Sequence, residues 1–155
     1  MKQPEIERKW LCSFIPDLAW DDVLSIRQGY FSNGNYELRL RHIKSSENEN
    51  YILSRKTGIG LVRMENEVPV SFQVFQMLWP LAEKRTIEKT RYIHCYDDIK
   101  FEFDEYRNFT PQFFTLEVEL EYPEQLVVFP EKILECIIKE VTGDVKYLNS
   151  TLAGN

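Results

Sequence analysis

The sequence predicts an α+β fold in which antiparallel strands close into a barrel, with charged side chains inside and two helices outside. Three observations predict it. Short runs of alternating apolar and charged residues recur along the chain, as strands with two unlike faces require. The charges of those runs fall at spacing two and gather by sign, which a water-facing surface does not need. Only two segments carry apolar residues at helical spacing.

The elements follow in order. Pro4 to Leu11 is a first extended run, and Pro16 to Leu24, a looser stretch, is open to a short helix. Ser25 to Phe31 reads as a strand closed by Ser32-Asn33-Gly34-Asn35, whose Asn-Gly pair suits the positive φ of a tight hairpin turn. Tyr36 to Ile43 is the next strand, Lys44 to Asn50 a polar loop, and Tyr51 to Lys56 another strand. Thr57-Gly58-Ile59-Gly60 turns into Leu61 to Val70. Ser71 is a helix N-cap, with Phe72, Phe75, Leu78 and Trp79 on one face and Pro80 kinking or ending the helix near Leu81. Strands are expected at Thr86 to Cys95, Lys100 to Tyr106 and Thr115 to Tyr122. Pro130 suits the first turn of a second helix, with Ile133, Leu134, Ile137, Ile138 and Val141 as its stripe and Gly143 past its end. Val145 to Leu152 reads equally as helix or extended chain. No linker divides the chain, so one domain over 1–155 is expected.

A chain of 155 residues, 43% of them hydrophobic, can bury one sizeable core. Its net charge of −6 argues against nucleic acid or an anionic membrane as partner, yet leaves room for a local basic cluster. Cys12, Cys95 and Cys136 have neither disulfide nor metal spacing and read as free, buried thiols of a reducing compartment. MKQPEIERKW has no apolar signal region, and no run approaches the ~20 apolar residues of a bilayer span. A cytoplasmic protein with no membrane partner is expected.

The charge pattern carries the functional reading. Glu5, Glu7 and Lys9 share one strand face, as do Glu37, Arg39 and Arg41, and as do Arg63, Glu65 and Glu67. Lys56 lies beside Ser54; Lys89 joins Arg91; Glu102 and Asp104 alternate with phenylalanines; Glu117 and Glu119 alternate with Leu116 and Val118. One such strand is most simply a solvated outer face. Repetition on seven strands is different, because two like charges ~4 Å apart repel by roughly 4 kcal/mol at an effective dielectric near 20. A divalent cation between carboxylates and a polyanion between cations relieve both repulsions. Oxygen ligands suit Mg²⁺ or Mn²⁺, and arginines suit phosphoryl oxygens. A closed barrel with its charges inward meets both needs at once.

These residues also carry a family resemblance. Glu5-Ile6-Glu7-Arg8-Lys9 resembles the ExExK signature of the CYTH family, the triphosphate tunnel metalloenzymes. The similarity continues through Ile26-Arg27-Gln28-Gly29-Tyr30-Phe31, Glu37-Leu38-Arg39-Leu40-Arg41, Ile87-Glu88-Lys89-Thr90-Arg91-Tyr92, Leu116-Glu117-Val118-Glu119 and Glu140-Val141-Thr142-Gly143-Asp144. ExExK alone is weak; the ordered set is strong. The resemblance implies an eight-stranded antiparallel barrel around a tunnel and metal-dependent hydrolysis of a small-molecule triphosphate, by a monomer or homodimer. It implies Glu5, Glu7, Glu117 and Glu119 as metal ligands, supported by Glu65, Glu67, Glu102 and Asp104. It implies Lys9, Arg39, Arg41, Lys56, Arg63, Lys89 and Arg91 as the triphosphate clamp. Similarity to bacterial members acting on inorganic tripolyphosphate implies Lys89 and Tyr30 as a catalytic pair. Where members often carry a basic cluster after Gly-Asp, this chain reads Val145-Lys146-Tyr147-Leu148-Asn149, which leaves Lys146 as the expected phosphate contact. Two other readings stay open: an adenylate cyclase of the same family, making cyclic AMP from ATP, and a non-catalytic binder of polyphosphate or an organic triphosphate.

Overall fold

A computed structural model describes residues 2–31, 37–82 and 84–154. The strands are β1 (Lys2–Cys12), β2 (Asp22–Tyr30), β3 (Glu37–Lys44), β4 (Glu49–Thr57), β5 (Val62–Pro69), β6 (Thr86–Tyr96), β7 (Ile99–Tyr106), β8 (Phe114–Glu119) and β9 (Ile137–Glu140). The helices are α1 (Phe72–Leu78), α2 (Glu131–Leu134) and α3 (Asn149–Gly154), with 3₁₀ turns at Trp79–Leu81 and Val145–Tyr147. The predicted turn at Ser32–Asn35 lies outside the described residues.

The sheet runs β5-β4-β3-β2-β6-β7-β8-β1-β9, and a further β1–β5 pairing closes eight strands into an antiparallel barrel. The closing strand is shared along its length. Lys2 to Ile6 pair with β5, whereas Glu7 to Cys12 pair with β8. That leaves one edge of β1 open beyond Ile6, and β9 fills it, pairing against Trp10, Leu11 and Cys12.

The second predicted helix is therefore corrected. Only Glu131–Leu134 is helical, and Ile137 and Ile138 belong to a strand. The open edge of β1 pairs with Ile137, Lys139 and Glu140 around an irregularity at Ile138, and β-branched residues suit the pleated conformation. Pro16 to Leu24 forms no helix either. Trp20 packs against Tyr92 and Phe103, while Asp21 bonds to the Ile93 carbonyl and the Cys95 amide. These contacts hold the segment extended into β2. The first helix forms as expected: the Ser71 hydroxyl accepts from the Val74 amide at 3.2 Å, and Pro80 turns the last residues into 3₁₀ geometry.

The larger apolar core lies outside the barrel wall and the charged clusters face in. Trp10, Phe101, Phe103, Leu116 and Val118 form the larger core outside the wall, closed over by Phe129, Ile133 and Cys136. Each buried Phe contributes about 2 kcal/mol relative to exposure. A smaller core holds Tyr30, Ile87, Tyr106 and Ala153 of α3. Cys12 and Cys136 are buried in the large core, whereas Cys95, expected to be buried, is exposed. Among the described residues, no helix is long and apolar enough to cross a membrane.

Candidate active site

The inward faces enclose a cavity of about 540 Å³. Its lining contains Glu5, Glu7 and Lys9 of β1, Tyr30 of β2, Arg39 and Arg41 of β3, and Lys56 of β4. It also contains Arg63, Glu65 and Glu67 of β5, Lys89 and Arg91 of β6, Glu102 of β7, and Glu117 and Glu119 of β8. Period two along antiparallel strands of matched register brings these side chains together. Two of the sequence-derived candidates stand elsewhere. Lys146 is exposed and outside the lining, because the 3₁₀ turn around it aims it outward; the segment meets Lys9 through the Tyr147 carbonyl instead, at 2.9 Å. Asp104 lies outside the lining, wholly buried, with both carboxylate oxygens taken by Lys89 and Arg91.

The lining cations are held by lining carboxylates. Lys56 meets Glu5 at 2.6 Å, Arg39 meets Glu65 at 3.0 Å, Arg63 meets Glu37 at 3.4 Å, and Lys9 meets Glu117 at 3.2 Å. Arg91 bonds to Glu102, to Glu117 at 2.8 Å, and twice to Asp104 at 2.7 Å. Burial alone would raise the Glu117 carboxyl; Lys9 and Arg91, with Lys89 and Lys56, hold it well below its usual range.

Arg41 is the cation least well matched. Its contact with Glu67 is long, 3.5 Å, and its buried Nε has no acceptor among the described residues. Burial first, then the positive charges of Arg39 and Arg91, lowers it to about 10.

Glu7 is its acidic counterpart. It faces Glu119 across the β1–β8 pair and has no ion-pair partner among the described residues. Burial first, then the like charge of Glu117, pushes its carboxyl up to about 8. Among the described residues no three acidic or sulfur- or nitrogen-bearing ligands stand assembled as a metal cage. The chemistry of the donor set nevertheless fits a hard divalent cation: all donors are oxygen, and Glu7 is an uncompensated carboxylate beside Glu117 and Glu5.

The two residues expected as a catalytic pair occupy one cavity without a contact between them among those described. The Tyr30 hydroxyl accepts from Gln28 Nε2 at 2.7 Å, and burial pushes its phenol up, so it stays protonated. The Lys89 ammonium sits 2.6 Å from Asp104 and 5.6 Å from the ring centre of Tyr106. Burial lowers Lys89 to about 8 against the pull of Asp104. Tyr106 donates to Asn149 Oδ1 at 2.6 Å, which ties α3 to the wall behind Lys89.

Several lining groups carry little mark in the sequence. Thr142, Gly143, Asp144, Tyr147 and Asn149 reach the cavity because the chain after β9 folds over one end of the barrel. A backbone carbonyl such as that of Tyr147 has no residue type to announce it. Leu24, Ile26, Ile43 and Ile93 add an aliphatic strip to the β3–β2–β6 wall. Glu37 had a signal in its period-two spacing with Arg39, and Thr142, Gly143 and Asp144 in the segment that resembles the family.

No family model matches the chain. It is 36% identical over 154 residues to the inorganic triphosphatase of Nitrosomonas europaea, covering 96% of each chain. It is 32% identical over 152 residues to the inorganic triphosphatase of Acetivibrio thermocellus, covering 97% of this chain and 94% of that one. A crystal structure of an inorganic triphosphatase superposes with a TM-score of 0.67 at 32% identity, over 97% of this chain and 95% of the other. Near-complete alignment at these identities leads to one conclusion: the chain is a hydrolase of the CYTH, or triphosphate tunnel metalloenzyme, family.

Proposed function

We propose that this protein hydrolyses inorganic tripolyphosphate with the help of a divalent cation, Mg²⁺ or Mn²⁺, held in the barrel. Arg41 carries the reading. A guanidinium with a buried, acceptorless Nε, set beside two further arginines, is stabilised by a multiply charged anion and by little else. The relatives named as inorganic triphosphatases support the choice of tripolyphosphate.

Lys9, Arg39, Arg41, Lys56, Arg63 and Arg91 bind the phosphoryl oxygens by exchanging lining carboxylates for them. Arginines give two parallel bonds each and so fix the chain of phosphates in place. Lys89, lowered to about 8 and so charged at lower pH, stabilises the charge that builds on the phosphoryl group under attack by water. Tyr30, with its high phenol, donates a hydrogen bond and does not act as a base. Glu7 and Glu119, with Glu5, Glu117 and Glu102, would hold the divalent cation. Bound there, it supplies Lewis-acid stabilisation of the phosphoryl oxygens. Water adds across one phosphoanhydride bond, giving pyrophosphate and orthophosphate.

The test is phosphate release from tripolyphosphate, ATP and thiamine triphosphate, each with Mg²⁺ and with Mn²⁺. Tripolyphosphate is expected to turn over fastest. Cyclic AMP from ATP would instead make the protein a cyclase, and no turnover of any substrate by folded protein would leave only a binder.

A further inference from the structure

Asp104 has no exposed surface, and Lys89, 2% exposed, lies against it. Asp104 Oδ2 accepts from Lys89 Nζ at 2.6 Å and from Arg91 Nη2 at 2.7 Å, while Oδ1 accepts from Arg91 Nε at 2.7 Å. One carboxylate oxygen is thus shared by both cations, and the second fixes the plane of the guanidinium. We propose that Asp104 is a positioning residue, locking Lys89 and Arg91 into one rigid pair of donors aimed at the triphosphate and acting on the reaction only through them. The proposal rests on the triphosphatase reading above.

The three carboxylates around Arg91 differ in a way that separates their roles. Glu102 and Glu117 line the cavity, so oxygens of a bound anion can take their places. Asp104 has no exposed surface and lies outside the lining. Its bonds therefore persist through binding and turnover. Lys89 and Arg91 sit two apart on the inward face of β6, with Asp104 directly across from Arg91 on β7. Left alone, two cations at that spacing would splay, and a lysine on its four-carbon stem would sample several rotamers. One negative charge between them removes that freedom. Once a bound anion has displaced Glu102 and Glu117, Asp104 offsets only one of the two positive charges, so the anion is still attracted. Donors held in place before the reaction reorganise least during it, which is where such groups lower a barrier.

The neutral, equally sized variant Asp104→Asn tests this. It keeps the volume but loses the charge and part of the bonding to both cations. The expected result is a fall in kcat of about 10- to 100-fold, with the KM for tripolyphosphate unchanged or lower, since the cations remain and lose a competing anion. Lys89→Met supplies the second arm. On that background Asp104→Asn should lower kcat by clearly less than it does in the wild type, because one of the two groups through which it acts is already gone. Asp104→Glu keeps the charge but moves it by one methylene, and should show the same kcat loss; should the Asn variant fail to fold, the split is read on this one. A raised KM at unchanged kcat, or independent losses that multiply in the double variant, overturns the proposal. Wild-type protein that hydrolyses tripolyphosphate beside a fully active Asp104→Asn sinks this inference alone. Inactive wild type sinks the triphosphatase reading with it.

Discussion

Glu7 keeps its proton to a higher pH than a carboxylate in water does, and the consequence has a definite sign. Its carboxyl is pushed up to about 8 by burial and by Glu117, from an ordinary value of 4.5. Between those pH values the folded protein holds a proton that the unfolded chain has released, so this group favours folding less as pH rises. Its contribution is fully present below about 4.5 and lost through about 8. In metal-free protein, Glu7→Gln should flatten the decline of melting temperature between pH 5 and pH 8 while abolishing hydrolysis. An unaltered pH dependence of melting would mean that Glu7 ionises freely, and its assignment as the uncompensated carboxylate would fail. Arg41 is the matching case of opposite sign: a cation lowered to about 10 by burial, then by its arginine neighbours, awaits a negative charge.

At the level of elements, β2 shows how a strand can serve the site from its outer side. Gly29 lies in the stretch Gln28-Gly29-Tyr30, where the family resemblance was read, yet its part is packing. A Cβ there would stand 2.7 Å from the Ala82 Cβ and 3.3 Å from both the Ala82 carbonyl oxygen and a Trp79 ring carbon. The missing side chain lets the end of the α1 segment lie directly on the strand that presents Tyr30 inward. Replacing Gly by Ala ordinarily gains about 0.4–1 kcal/mol by restricting the unfolded chain. Here overpacking should cost about 1–3 kcal/mol, so the clash wins. Gly29→Ala is expected to lower the melting temperature, and an unchanged or raised value would show that the helix segment yields without loss. The exchange of partners along β1 makes a complementary point. Because β5 leaves its edge after Ile6, residues patterned as a helical stripe are recruited as β9.

The whole molecule is a barrel turned inside out, with its larger apolar core outside the wall and its ion pairs within. Such an interior is held together by charges that substrate and metal can each reclaim, so ligands should stabilise it in the absence of turnover. Tripolyphosphate with Mg²⁺ or Mn²⁺, added to the slow Lys89→Met variant, should raise its melting temperature. Saturation at about 100 times Kd corresponds to about 2.7 kcal/mol by mass action. No shift with both ligands at millimolar concentration would mean that the cavity does not bind them.

The strands, the inward charges and the first helix were legible in the sequence alone, because strand periodicity assigns each residue to a face without knowledge of its neighbours. Glu5, Glu7, Lys9, Arg39, Arg41, Lys89 and Glu117 could be grouped on that ground before any coordinates. Only the tertiary structure decided that Ile137 and Ile138 form a strand, that Lys146 faces away while the Tyr147 carbonyl faces in, and that Asp104 stands behind the lining with both oxygens engaged. Pairing edges, backbone carbonyls and depth within a wall depend on what lies across from a residue, however distant in the chain, as Glu117 is from Lys9.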